Sequence, residues 1–192
     1  MDRIRFYNYI GNMPRLQEGL AKSRELLYNG ANELKEGESM SNYIMDLRKI
    51  VGHRPLLQVG ASVIVEDSEG RVLLQLRSDN HCWGYAGGSV ELDEVVEEAA
   101  ARELLEETGL TAHRLELFGI FSGKDTHYVY PNGDEVSNVD IVYLCREYSG
   151  ELICQEGETD ELRFFAADEL PENLSPPIRV PLLKWAETKQ QR

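Results

Sequence analysis

The stretch that decides the fold is Gly87-Gly-Ser-Val-Glu-Leu-Asp-Glu-Val-Val-Glu-Glu-Ala-Ala-Ala-Arg-Glu-Leu-Leu-Glu-Glu-Thr-Gly-Leu110. Its periodicity predicts a helix from about Asp93 to Thr108, with Asp93 as N-cap and Gly109 as a left-handed C-cap. Residues three and four apart share a helix face, so Glu103, Glu106 and Glu107 point the same way. Projected backwards, that face carries Val96, Ala99 and Ala100, whereas Glu97, Glu98 and Ala101 lie on the outer surface. The inward stripe is therefore small and apolar for two turns and purely carboxylate thereafter. A solvated run of glutamates should instead oppose the apolar stripe. Like charges at this spacing also destabilise a helix unless something neutralises them. A divalent cation does so economically, and Mg²⁺ takes oxygen ligands shared with substrate phosphates. Arg102 and Glu94 remain as a charge-balancing pair able to fix the loop before the helix.

That loop is rich in glycine. Gly84, Gly87 and Gly88 allow the backbone to approach a ligand or metal closely. Gly88, five residues, Glu94, seven residues, then Arg102-Glu103-Leu104-Leu105-Glu106-Glu107-Thr108-Gly109-Leu110 resembles the complete signature of the MutT-like Nudix hydrolases. The wider resemblance runs from about residue 56 to 186, and includes Trp83 and Phe164-Phe165. It implies an α/β/α sandwich that cleaves a nucleoside diphosphate linked to another group. Carried over by position, Glu103, Glu106 and Glu107 match the metal ligands, joined by the backbone carbonyl of Gly87. The metal is expected to be Mg²⁺, with Mn²⁺ as the alternative. The family usually has Pro where this chain has Ala86, and often Gly where it has Asp93. Neither departure removes a ligand.

Water attacks phosphorus in such a reaction, metal ions neutralise the phosphate oxygens, and a carboxylate takes the proton. Family members draw that base from the signature helix or from a later loop. The later loop here is Gln155 to Glu161, and Glu156 or Glu158 is the expected extra ligand or base. Arg77, with Phe121, Tyr128 and Tyr130, is a candidate for holding phosphate and stacking on a base. His81, His113 and His127 form no ligand pattern with the cysteines and are read as structural.

Outward from the signature, Leu56 to Val65 and Val72 to Leu76 read as strands around a turn at Glu66 to Gly70. Phe118 to Phe121, Tyr128 to Tyr130, Val139 to Cys145 and Phe164-Phe165 follow as strands, with a turn at Pro131 to Asp134. A last helix is expected around Leu182 to Thr188. Strands and helices mix without strict alternation, so the fold class is α/β, a mixed sheet covered by helices. Residues 1–52 read as a helical N-terminal extension, with Leu16, Leu20, Leu27 and Leu34 at near-helical spacing. A second helical pattern there comprises Tyr43, Ile44, Leu47 and Ile50. The extension is expected to pack on the main domain, residues 53–192, or on a second subunit, which would make a homodimer.

At 192 residues the chain buries a full core without metal or disulfide staples. Its net charge of −14 opposes binding along a nucleic-acid polymer, leaving a small nucleotide-derived substrate as the partner. No apolar run approaches a membrane span. Cys82, Cys145 and Cys154 are an odd number at wide spacing, which suits a reducing cytoplasm. Two other readings stay open: a non-catalytic nucleotide sensor of the same fold, and an acidic interaction protein whose glutamates only solubilise it.

Overall fold

The computed structural model describes residues 43–190. The expected leucine-patterned helices of residues 1–42 lie outside these. Helix α1 (Tyr43–Val51) leads into strand β1 (Leu56–Val65). Then come β2 (Val72–Arg77), β3 (Trp83–Gly84), β4 (Ala86–Ser89) and helix α2 (Val96–Thr108). Two long strands, β5 (Thr111–Val129) and β6 (Glu135–Ser149), precede β7 (Thr159–Phe165). A 3-10 turn at Pro176–Ile178 opens helix α3 (Arg179–Gln190).

The strands form a four-stranded sheet, ordered β4-β1-β6-β5, and a three-stranded sheet, ordered β3-β2-β7. The first sheet is mixed, because β1 runs parallel to β6 and antiparallel to β4. The last five residues of β1, Ala61 to Val65, are buried on both faces, as a central parallel strand requires. Ala61, Val63 and Val65 pack with Ala99, Ala100 and Leu104 of α2. Ile64 points the other way, into a core with Leu74, Trp83, Val142, Leu182 and Trp185. Helix α2 thus covers one side and α3 the other, giving the expected α/β/α sandwich. The Trp185 indole also donates to the buried Glu66 carboxylate at 3.1 Å, pinning α3 to the end of β1.

The structure departs from the sequence reading at several elements, among them β7, which begins at Thr159 within the expected loop. Strands β5 and β6 are far longer than the short apolar runs predicted, because β5 slips register four times against β6. Each slip breaks the two-residue alternation that marks a strand. The glycine loop before α2 is partly strand: β4 pairs antiparallel with β1, Gly87 opposite Ser62 and Gly88 opposite Ala61. A Cβ at Gly87 would overlap Ser62, so glycine permits that pairing. Asp93 does not cap α2. The N-cap is Val95, without a side-chain bond, and Asp93 sits at φ +62°, where glycine is more at ease. Gly109 does close the helix, at φ +76°, as expected.

Helix α1 is anchored on the sheet unit by Arg48, which is buried. Its guanidinium donates to the carbonyls of Gly52, Arg54 and Glu135, and lies 3.4 Å from Asp134.

Candidate active site

Helix α2 presents its carboxylates to the edge of β4, but to different partners. Glu107 turns inward and is 5% exposed. Its Oε2 accepts the amide of Gly87 at 2.8 Å and the side chain of Gln75, on β2, at 2.7 Å. Gln75 in turn accepts the Thr159 hydroxyl at 2.6 Å, tying α2 to the first residue of β7. Burial pushes the Glu107 carboxyl up to about 8, against the opposing pull of the Gly87 amide. Glu103 is also raised by burial, though the neighbouring Arg102 guanidinium opposes this.

Arg102 stands between the other carboxylates. It binds Glu94 through Nε at 2.8 Å and Nη2 at 3.1 Å, and Nη2 also donates to Ser89 O. Its Nη1 reaches Glu103 at 2.7 Å and Glu106 at 3.1 Å. Arg102 therefore does more than the predicted pairing with Glu94. It holds the β4–α2 loop and damps the repulsion between Glu103 and Glu106. Gly88 lies so near Glu103 that a Cβ there would overlap the carboxylate.

Among the described residues, no three His, Cys, Asp or Glu side chains converge as a cation cage. The donor chemistry nevertheless suits a hard divalent cation, since every candidate ligand is an oxygen. Burial disfavours the charged forms of Glu103 and Glu107, a cost that a cation held there would offset.

Gly87 and Gly88 also line a cleft on the face of the first sheet opposite α2. Arg77 lines it, with its guanidinium paired to Asp79 through two 3.0 Å bonds. Tyr128 and Tyr130 form a wall, their rings edge to face at 4.9 Å. Phe121 instead stacks on Phe118, packs half-buried against the core, and does not line that cleft. Glu156 and Glu158 are exposed on the loop before β7. That loop meets β2 through its backbone, Ser78 N donating to Glu158 O at 2.9 Å. Glu97 and Glu98 are exposed, as the helical projection requires.

Sequence reasoning missed Gln75, Thr159, Ser62, Tyr85 and Asp140, which stand within or beside the site. A lone polar residue amid strand residues was the available signal, at Gln75 between Leu74 and Leu76 and at Asp140 between Val139 and Ile141.

Residues 56–186 match the NUDIX domain. The chain is 30% identical over 129 residues to a MutT-like protein of Streptomyces ambofaciens, covering 67% of this chain and 77% of that one. It is 34% identical over 140 residues to an ADP-ribose pyrophosphatase of Methanocaldococcus jannaschii, covering 70% and 78%. Among solved structures, a MutT NUDIX hydrolase from Burkholderia pseudomallei superposes with a TM-score of 0.57 at 32% identity, covering 67% of this chain and 97% of that one. With its signature helix, glycine strand and sandwich all in place, the chain belongs to the Nudix hydrolase family.

Proposed function

We propose that the protein is a Mg²⁺-dependent pyrophosphohydrolase that cleaves a small nucleoside diphosphate derivative, either an ADP-ribose-like compound or a nucleoside triphosphate. The observation that carries this reading is the meeting of a glutamate-lined helix with a glycine strand, whose Gly87 and Gly88 also line a cleft on the sheet's other face. Glu103, Glu106 and Glu107, with the Gly87 carbonyl, would hold the cation, and Mn²⁺ would fit the same oxygens. When bound, such a cation would supply charge to neutralise phosphate oxygens and to acidify a water.

The chain's own residues supply the rest. Arg102 keeps Glu103 and Glu106 side by side until a cation competes for them. Gln75 and the Gly87 amide hold Glu107 in one orientation. Arg77 is poised at the cleft to meet substrate phosphate, and Gly88 leaves the backbone bare beside it. Glu156 or Glu158 serves as proton acceptor or extra ligand from the loop before β7. The three free cysteines support a cytoplasmic location.

The test is a panel of nucleoside diphosphate derivatives and triphosphates assayed with chelator, then Mg²⁺, then Mn²⁺. Hydrolysis should vanish in chelator and return with the cation. Turnover that persists in excess chelator would remove the metal mechanism. A protein that binds nucleotides yet cleaves none in any condition would be a sensor.

A further inference from the structure

Strand β6 repeats, in strand geometry, the pattern seen along α2. Its residues facing α3 are apolar at Val142 and Leu144, which belong to the core, and become polar at Asp140 and Asn138 where the cleft opens. Asp140 is 9% exposed and lines that cleft. Ser62 Oγ donates to its Oδ1 at 2.7 Å, and the Tyr85 hydroxyl donates to its Oδ2 at 3.2 Å. Both donors are neutral, and no Lys or Arg among the described residues pairs with the carboxylate. Burial accordingly raises its carboxyl, and the two donors only partly offset this.

A buried carboxylate without a cation is costly, and an apolar residue would serve the sheet better. Its neighbour on β1 is a glycine. Gly60 stands beside Asp140 in the parallel pairing, and a Cβ there would come within 3.3 Å of Oδ1 and 3.5 Å of Gly88 O. Gly88 in turn abuts Glu103. Asp140 therefore lies in one continuous path, through two glycines, with the carboxylates of α2. The aromatic wall of Tyr128 and Tyr130 suits a planar ring between the two ends.

We propose that Asp140 reads the nucleobase of the substrate and selects a guanine-type ring. Each of its oxygens accepts one internal bond and keeps a further acceptor site. Two equivalent acceptors side by side match two adjacent N–H donors, which guanine offers at N1 and its exocyclic N2. Adenine presents one amino donor beside a ring acceptor, and uracil flanks its single N–H with two carbonyls that a carboxylate repels. This rests on the hydrolase reading for the position of the phosphates at α2, and it concerns a different end of the cleft.

Equilibrium binding of GDP, IDP, ADP and UDP in Mg²⁺ tests it. IDP differs from GDP only by lacking the N2 amine. The wild type should bind GDP roughly tenfold or more tighter than IDP, the scale of a lost base contact. Asp140→Asn turns one acceptor into a donor and should bring that ratio close to one. Gly60→Ala keeps the carboxylate but places a methyl beside Oδ1, and should narrow the ratio as well. A ratio of affinities is insensitive to the fraction of variant that folds. Equal wild-type affinity for GDP and IDP, tighter binding of ADP, or an unchanged ratio in Asp140→Asn would each overturn the assignment. Intact GDP–IDP discrimination with no cleavage of any nucleotide would sink the hydrolase reading alone.

Discussion

Two glutamates on one helix separate site from surface at the residue scale. Glu107 is buried against Gln75 and Gly87, whereas Glu97 is exposed one face away. Glu107→Gln preserves size but removes charge, and should cut kcat by about 10²–10⁴-fold while weakening metal binding. Glu97→Gln should leave the rate nearly unchanged and stability within roughly 0.5 kcal/mol. Equal loss in both variants, read by steady-state kinetics, would dismiss the stripe as the site. Glu107 also sets a pH dependence in the metal-free protein. Its carboxyl moves from 4.5 to about 8 on folding. Between those values the folded state binds the extra proton, so stability falls as pH rises and levels off above the folded value. The slope contributed is at most about 1.4 kcal/mol per pH unit. Denaturant unfolding of wild type and Glu107→Gln in chelator should therefore diverge in favour of the variant as pH rises. Parallel pH profiles would show that Glu107 titrates normally.

The informative element is α2 with its two ends. Its N-terminal end carries no side-chain cap, and the loop before it is held by Glu94 and Arg102. Its C-terminal end depends on Gly109 at φ +76°, where a Cβ would also come within 2.6 Å of Glu151 O. Gly109→Ala should cost about 2 kcal/mol or more, from left-handed strain of about 1–2 kcal/mol plus that overlap. A thermal melt reads this directly, and an unshifted Tm would mean that the helix end adjusts freely. The β4 strand shows why the glycine loop looked irregular. Glycine is depleted in strands, so the chain gives no strand signal there. The pairing exists because β1 offers a partner edge and the glycines permit its close approach.

For the whole molecule, the question is where the folded unit begins. The sequence suggests a division near residue 52, yet α1 is fastened to the sheet by a buried arginine. A chain beginning at Arg54 loses Arg48 and leaves the Glu135 carbonyl and Asp134 without that partner. It should lose about 1–3 kcal/mol, the scale of a buried acceptor left unpaired. A chain beginning at Ser41 keeps α1 and should retain that increment. Thermal melts compare the two, and mass in solution reports whether residues 1–40 govern a homodimer. Equal melting of both shortened chains would make α1 a passive appendage.

The sequence by itself determined the family, the shared helix face of Glu103, Glu106 and Glu107, the exposure of Glu97 and Glu98, and the central strand β1 with its ends. These follow from short-range periodicity and from residues a fixed number of positions apart, which one chain displays in full. Tertiary structure alone decided how the glutamates divide, Glu107 to Gln75 and Gly87, and Glu103 and Glu106 to Arg102. It alone brought Asp140 against Ser62 and Tyr85, 78 and 55 positions away, and seated Phe121 against Phe118 at the margin of the core. Such contacts depend on strand order and register, which arise from packing between segments distant in the chain and leave no periodic mark along it.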